Sequence, residues 1–158
     1  MKYCAAIFVM CMTLASAFPV HAESYHLILT GSGGEPEYHD RFTDWGQRLV
    51  RALEEVSRAK PENIRWLAER VGGLPAGADD VTLETIRATF ENLAAEAGNQ
   101  DDVYVYIIGH GSGYSIPPKF HVPGDDATAA DFAGYLALLN VRRIVVLNAA
   151  PASAGFIN

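Results

Sequence analysis

The sequence predicts an α/β fold, a three-layer α/β/α sandwich with a mainly parallel sheet. Short apolar runs alternate along the chain with segments whose apolar residues recur at helical spacing. This alternation of strand and helix favours parallel strands joined by right-handed crossovers. Hydrophobic residues make up 49% of the 158 positions and charged residues 20%, which is typical of a globular domain and argues against disorder.

Each element has its own local signal. Thr82 is placed to cap one helix that Gly98 ends, and Thr128 with Asp131 resembles a capping box at the start of another. The proline-rich stretch 117–124 is interpreted as a stiff surface loop. The full set comprises strands at 25–30, 64–68, 103–108 and 144–147 and helices at 42–56, 83–97 and 128–139.

The first 22 residues predict a cleaved secretory signal peptide. Lys2 provides a positive start, an apolar run follows at 5–17, and Val20-His21-Ala22 forms the small-x-small end. A membrane-spanning helix needs about 20 apolar residues, more than this run has, so no stable membrane anchor is expected. Cleavage after Ala22 predicts a periplasmic or secreted domain of residues 23–158.

Charge and cysteine usage exclude several classes of function. Asp and Glu number 19 against 12 Lys and Arg, a net charge of −7, so nucleic acid is not an expected partner. Both cysteines, Cys4 and Cys11, leave with the signal peptide, so the exported chain has no thiol for a disulfide or a nucleophile. No spacing of histidines and carboxylates sets a metal geometry, and neither a metal nor another cofactor is expected.

Three loops are candidates for a binding site, because ligands of parallel sheets bind outside the carboxyl ends of the strands. These loops are 31–38, 109–113 and 148–155. The second places His110 between glycines directly after a buried strand, where an imidazole can transfer protons near neutral pH. The alternative is a strand-ending turn in which His110 only satisfies a backbone carbonyl.

Two of these loops resemble those of a known family. The run Asp101-x-Val103-Tyr104-x-Tyr106 entering His110-Gly111-Ser112 resembles the histidine motif of legumain-like cysteine peptidases, within the caspase-like group. Gly31-Ser32-Gly33-Gly34 with Tyr38 and His39 is similar to the segment after the first strand of that family. The resemblance covers about residues 25–156.

This resemblance carries expectations about fold and site. It implies a sheet whose first strand lies between the second and third, and a catalytic role for His110 and Gly111. It implies that Gly31, Ser32 and Asn148 bind substrate, with His39 or Arg41 near the place of the legumain arginine that binds acidic or amide side chains. The alternative for His39 and Arg41 is a solvated helix start.

The sequence departs from the family at the nucleophile. Asn148 and Ala149 match the approach to the catalytic cysteine, whose position falls on Ala150, or on Ala152 if the loop carries extra residues. An alanine cannot attack a carbonyl. Ser153 is the nearby hydroxyl, and Ser112 and Ser115 lie close to His110 in sequence.

These observations lead to three hypotheses. The first is an exported, legumain-related domain that is catalytically inactive and binds a peptide or protein. The alternative is an active peptidase or esterase with Ser153 as nucleophile and His110 as base. The third is a truncated or misassembled product without independent function. Because caspase-like domains continue with further strands, the domain is expected to be incomplete, as a fragment or as a minimal version whose sheet edge a partner or oligomer covers.

Overall fold

The computed structural model describes residues 22–113 and 117–156. Except for Ala22, the predicted signal peptide with both cysteines lies outside the described residues, as does Ser115. Two short 3-10 turns occur at Pro61–Asn63 and Ser153–Phe156. The strands and helices are β1 (Ser24–Thr30), α1 (Pro36–Glu55), β2 (Ile64–Ala68), β3 (Asp79–Asp80), α2 (Leu83–Glu96), β4 (Asp102–Ile108), β5 (Gly111–Ser112), β6 (Lys119–Phe120), β7 (Ala127–Thr128), α3 (Ala129–Leu136) and β8 (Arg143–Asn148).

The main sheet has five parallel strands in the order β3-β2-β1-β4-β8. The predicted parallel α/β fold is confirmed at this level. The first strand lies between the second and the third of the predicted strands, as expected. The carboxyl ends of β1, β4 and β8 therefore meet at one edge of the sheet, the edge that parallel α/β folds use for ligands.

Helices cover both faces of the sheet, because successive side chains of a strand point to opposite faces. On one face Leu27 and Leu29 pack with Phe90 of α2 and with α3. On the other face Ile28 and Trp66 pack with Leu53 of α1. The sheet is thus the middle layer of an α/β/α sandwich, as the sequence predicted.

Two helix starts confirm their sequence signals and one does not. Thr82 and Thr128 each accept the backbone N–H three residues ahead, from Thr85 and Asp131, in capping boxes. Helix α1, predicted to begin at residue 42, begins at Pro36 instead, with proline in the first turn and no side-chain cap. Proline suits that position because its missing N–H would be unpaired there in any case.

A small antiparallel sheet, β5-β6-β7, was not predicted. The interpretation of 117–124 as a surface loop is wrong, because Phe120 and Val122 are buried in the core. The Phe120 ring fills space that two glycines leave open. A Cβ on Gly31 would lie 2.7 Å from its Cζ atom, and one on Gly109 would lie 2.9 Å from its Cε2 atom.

Among the described helices, none combines the length and the apolar character needed to cross a membrane.

Candidate functional site

The three predicted loops come together at the carboxyl edge of the sheet. The Gly31 N–H donates to the Ile108 carbonyl at 2.9 Å, and the Ala149 N–H donates to the Ile107 carbonyl at 2.8 Å. The Ser32 N–H donates to the His121 carbonyl, also at 2.9 Å, which joins the first loop to the segment after β6. The sheet therefore holds the three loops together through backbone hydrogen bonds.

Gly111 allows neighbouring backbone segments to pack closely at this edge. A Cβ atom at Gly111 would lie 2.6 Å from the Pro151 carbonyl oxygen and 2.9 Å from that of Lys119. The His110-Gly111 segment thus lies directly against the loop that follows β8. Any larger residue at Gly111 would push these two backbones apart.

His110 lies in an aromatic cluster on α1. Its ring contacts Tyr38 and Phe42 edge-on, with centroid distances of 4.7 and 5.1 Å. Together with Trp45 and Arg41, these side chains line an open cavity of about 200 Å³. Ala149 and Pro151, from the loop after β8, complete it. We call this the His110 cavity; its aromatic wall and single guanidinium suit an apolar or acidic side chain.

His39 and Arg41, the two candidates for side-chain recognition, have different surroundings. His39 Nδ1 lies 3.3 Å from Glu69 Oε2, which also accepts the Gly33 N–H at 2.9 Å. Arg41 pairs with Glu37 at 2.6 Å and places its guanidinium 5.4 Å from the centre of the Tyr38 ring. Arg41 therefore lines the His110 cavity, whereas His39 pairs with Glu69, the residue after β2 that holds the glycine loop.

The two alanines matched to the family's cysteine do not line the His110 cavity. Ala150 is buried in the core, and its N–H donates to Asn148 Oδ1 at 3.0 Å. Asn148 Nδ2 is buried without a hydrogen-bond partner among the described residues. Ala152 adopts a left-handed φ of 63°, a strained value for a residue with a side chain. Asn148 thus shapes the loop through its side-chain oxygen, which accepts the N–H two residues ahead.

The described hydrogen bonds do not join Ser153 to His110. Ser153 begins the 3-10 turn after β8, outside the lining of the His110 cavity. A different hydroxyl–imidazole pair is present, because Ser112 Oγ lies 3.1 Å from His121 Nε2. Both residues are half-buried. Sequence reasoning missed this pair, since only the unpredicted pairing of β5 with β6 brings the two residues together.

A second polar cluster lies on the α1 face of the sheet and was also missed. His26 is buried, stacks on Tyr104 at 5.0 Å, and places Nδ1 3.3 Å from the Tyr106 hydroxyl. Burial lowers the pKa of His26 and raises that of Tyr106. The sequence feature that could have indicated this cluster is the alternation of polar residues along β1 and β4.

No protein-family model matches the chain, and the curated proteins include no significant match to it. The resemblance to legumain-like peptidases accordingly stays a prediction from the residues themselves. Within residues 22–113 and 117–156, no three histidine or acidic side chains gather where a metal ion could bind.

Proposed function

We propose that this chain is an exported, caspase-like and legumain-related domain that is catalytically inactive and binds an extended peptide or protein segment. The observation that carries the proposal is the edge of β8 that no described strand covers, which ends beside the His110 cavity. The sequence resemblance supports the peptide class of ligand. Alanine at both positions matched to the nucleophile supports binding in place of cleavage.

Strand β8 has one open backbone edge among the described residues, since it pairs there only with β4. The Ala149 N–H points to β4, so by alternation along the strand the N–H and carbonyl of Val146 point to the open edge. Such an edge can add an extended peptide as a further strand, with main-chain hydrogen bonds providing the affinity.

Side chains on both faces of β8 suit this mode of binding. Val146 is 42% exposed and Leu147 48% exposed, large values for apolar residues. Val146 also lines an apolar cavity of about 130 Å³ with Phe132 and Phe156, on the face that α2 and α3 cover. A peptide strand beside β8 would place alternate side chains over this cavity and over Leu147.

The test uses reduced, carboxymethylated α-lactalbumin, a permanently unfolded chain, labelled with fluorescein. Val146→Pro removes the N–H at the open edge, and we expect it to weaken binding by about tenfold or more in fluorescence anisotropy. Val146→Thr keeps that N–H and is the matched control, with binding close to that of the parent chain. Equal binding by the proline variant, or cleavage of the probe, would contradict the proposal.

The Ser112–His121 pair supports a second candidate, a serine hydrolase. Here Ser112 Oγ would form an ester with the acyl group of a substrate while His121 Nε2 takes the hydroxyl proton and passes it to the leaving group. A fluorophosphonate probe distinguishes the outcomes. Label on Ser112 that disappears in His121→Ala supports this candidate, and label on Ser153 that disappears in His110→Ala supports the hydrolase that the sequence offers as the alternative. An unlabelled chain favours binding.

A second copy of this chain is the other occupant to test for the β8 edge. Sedimentation velocity of residues 23–158 over a hundredfold concentration range distinguishes the two. A dimer that Val146→Pro dissociates and Val146→Thr preserves would make self-association, in place of peptide binding, the role of this edge.

A further inference from the structure

The residue that follows the predicted cleavage site is held against a buried carboxylate. The Glu23 N–H donates to Asp101 Oδ1 at 2.8 Å, and the other oxygen of Asp101 accepts the Gly98 N–H at 2.8 Å. The Glu23 carbonyl accepts the N–H of Asp102 at 2.9 Å. Both backbone groups of Glu23 are therefore bound at the start of β4.

The carboxylate of Asp101 has no direct ion pair among the described residues. Asp101 is only 9% exposed, and Arg142, whose charge interacts with it, binds Asp102 directly instead. The neighbouring Asp102, also buried, is instead paired with Arg142 at 2.8 Å and with Arg143 at 2.6 Å. Two backbone N–H groups already satisfy the Asp101 oxygens, and a positive group in direct contact would add an ion pair to these hydrogen bonds.

The Ala22–Glu23 peptide bond lies where a processing enzyme could cut it. Ala22 is exposed and precedes β1. Val20 and Ala22 occupy the two positions at which a signal peptidase requires small residues. Hydrolysis adds water across this bond: the C–N bond breaks, Ala22 leaves as a carboxylate, and the nitrogen of Glu23 becomes an ammonium group.

We propose that cleavage after Ala22 creates an α-ammonium group on Glu23 that forms an ion pair with Asp101, so that processing itself fastens β1 to β4. The nitrogen already lies at hydrogen-bond distance, and cleavage adds the missing charge without moving it. This inference rests on the predicted signal peptide and is independent of the proposed peptide binding.

The charges around this position leave the ammonium group free to pair. The side chain of Glu23 is engaged by Lys60 Nζ at 2.5 Å and by the amide of Asn63 at 3.1 Å. Arg142 donates its backbone N–H to the Asp101 carbonyl, while its guanidinium binds Asp102. Tyr25 also faces Asp101, whose charge adds to burial in raising the pKa of that phenol, so Tyr25 stays neutral at physiological pH.

The proposed ion pair determines how its contribution to stability changes with pH. A carboxylate within hydrogen-bond distance raises the pKa of an ammonium group above the usual value of about 7.7 to 8.0 for a chain terminus. The stabilisation is therefore fully present below about pH 7.7 and is lost as the pH rises through the raised value.

The test compares a chain whose first residue is Glu23 with one that retains His21-Ala22 in front of it. At pH 6.5 we expect the chain that starts at Glu23 to melt about 3 °C higher, with the difference fading above about pH 9. In Asp101→Asn versions of both chains the two melting temperatures should coincide. Equal melting temperatures at pH 6.5 with Asp101 intact would overturn the proposal.

Two further measurements do not depend on the folding of the Asp101→Asn variant. In the parent chain that starts at Glu23, an amine-reactive ester should modify the terminus several-fold more slowly at pH 7.5 in the folded protein than in urea. Equal rates contradict the ion pair. The mass of the exported full-length precursor should correspond to a first residue of Glu23, and any other first residue also overturns the inference.

Discussion

Residues at the carboxyl edge of the sheet are constrained mainly by how closely backbones approach there. Gly109 has a φ of 153°, and a Cβ atom placed on it would lie 3.2 Å from the Gly31 nitrogen. This glycine is needed both for its backbone angle and for the close approach. Gly111 is needed only for the approach, which makes it the cleaner position to test.

Gly111→Ala should destabilise the fold, because its Cβ would lie within 3 Å of two backbone carbonyl oxygens, those of Pro151 and Lys119. We expect a loss of about 1 to 3 kcal/mol in the free energy of unfolding, measured with urea. Gly134→Ala is the matched control, since a Cβ there meets nothing within 4 Å and lies in helix α3. That control should be neutral or stabilising by about 1 kcal/mol. Similar losses in both variants would mean that the loops do not pack as described.

His26 should make the protein less stable in acid. Burial lowers the pKa of its imidazole in the folded state, so the unfolded chain binds the proton more readily. Stability is then full above the usual histidine pKa of about 6.5 and falls as the pH drops from there through the lowered value. Urea unfolding at pH 7.5 and 5.0 should show a larger loss for the parent chain than for His26→Gln. An identical loss in both would exclude His26 as the cause.

At the scale of the element, helix α3 depends on its capping box. Thr128 Oγ1 accepts the Asp131 N–H at 3.1 Å, and an Asp131 carboxylate oxygen accepts the Thr128 N–H at 2.8 Å. Thr128→Ala should lower the free energy of unfolding by about 1 kcal/mol, whereas Thr128→Ser keeps the hydroxyl and most of the stability. Thermal unfolding followed by circular dichroism checks this, and a serine variant as unstable as the alanine variant would contradict it.

Elements with a strong local signal could be predicted from sequence, and those held by distant contacts could not. Strand β4 and helices α2 and α3 have apolar periodicity or caps of their own. Strands β3, β5, β6 and β7 have two residues each, too few to show a period, and exist through pairing with distant segments. The early start of α1 has no side-chain cap to reveal it, although it places Tyr38 against His110.

Part of the candidate site could likewise be predicted from sequence, and part of it could not. His110, Gly31 and the loop after β8 could be placed together because the ends of neighbouring parallel strands meet. The partners of these residues could not be inferred. Whether His110 contacts a hydroxyl or an aromatic ring depends on the turn of α1 that reaches it, and Ser112 meets His121 only through the small second sheet.

At the scale of the whole molecule, the buried strand β1 contributes side chains to two apolar cores, one on each face of the sheet. Leu27 and Leu29 of β1 pack toward α2 and α3, and Ile28 between them packs toward α1, all without exposed surface. Loss of packing on one face therefore loosens the strand that the other face needs. The two cores should unfold together.

Phe90→Leu tests this coupling, because Phe90 is fully buried under α2 while Trp66 reports from the opposite face. We expect a loss of about 1 to 2 kcal/mol, with the same shift of the midpoint in the fluorescence of Trp66, measured with Trp45 replaced by Phe in every variant, and in far-ultraviolet circular dichroism. Val56→Ala, at a side chain 79% exposed, is the control and should change stability by less than about 0.5 kcal/mol. Cooperative melting of residues 23–158 would support an independently folded binding domain. Separate midpoints for the two probes would contradict the coupling of the two cores through β1.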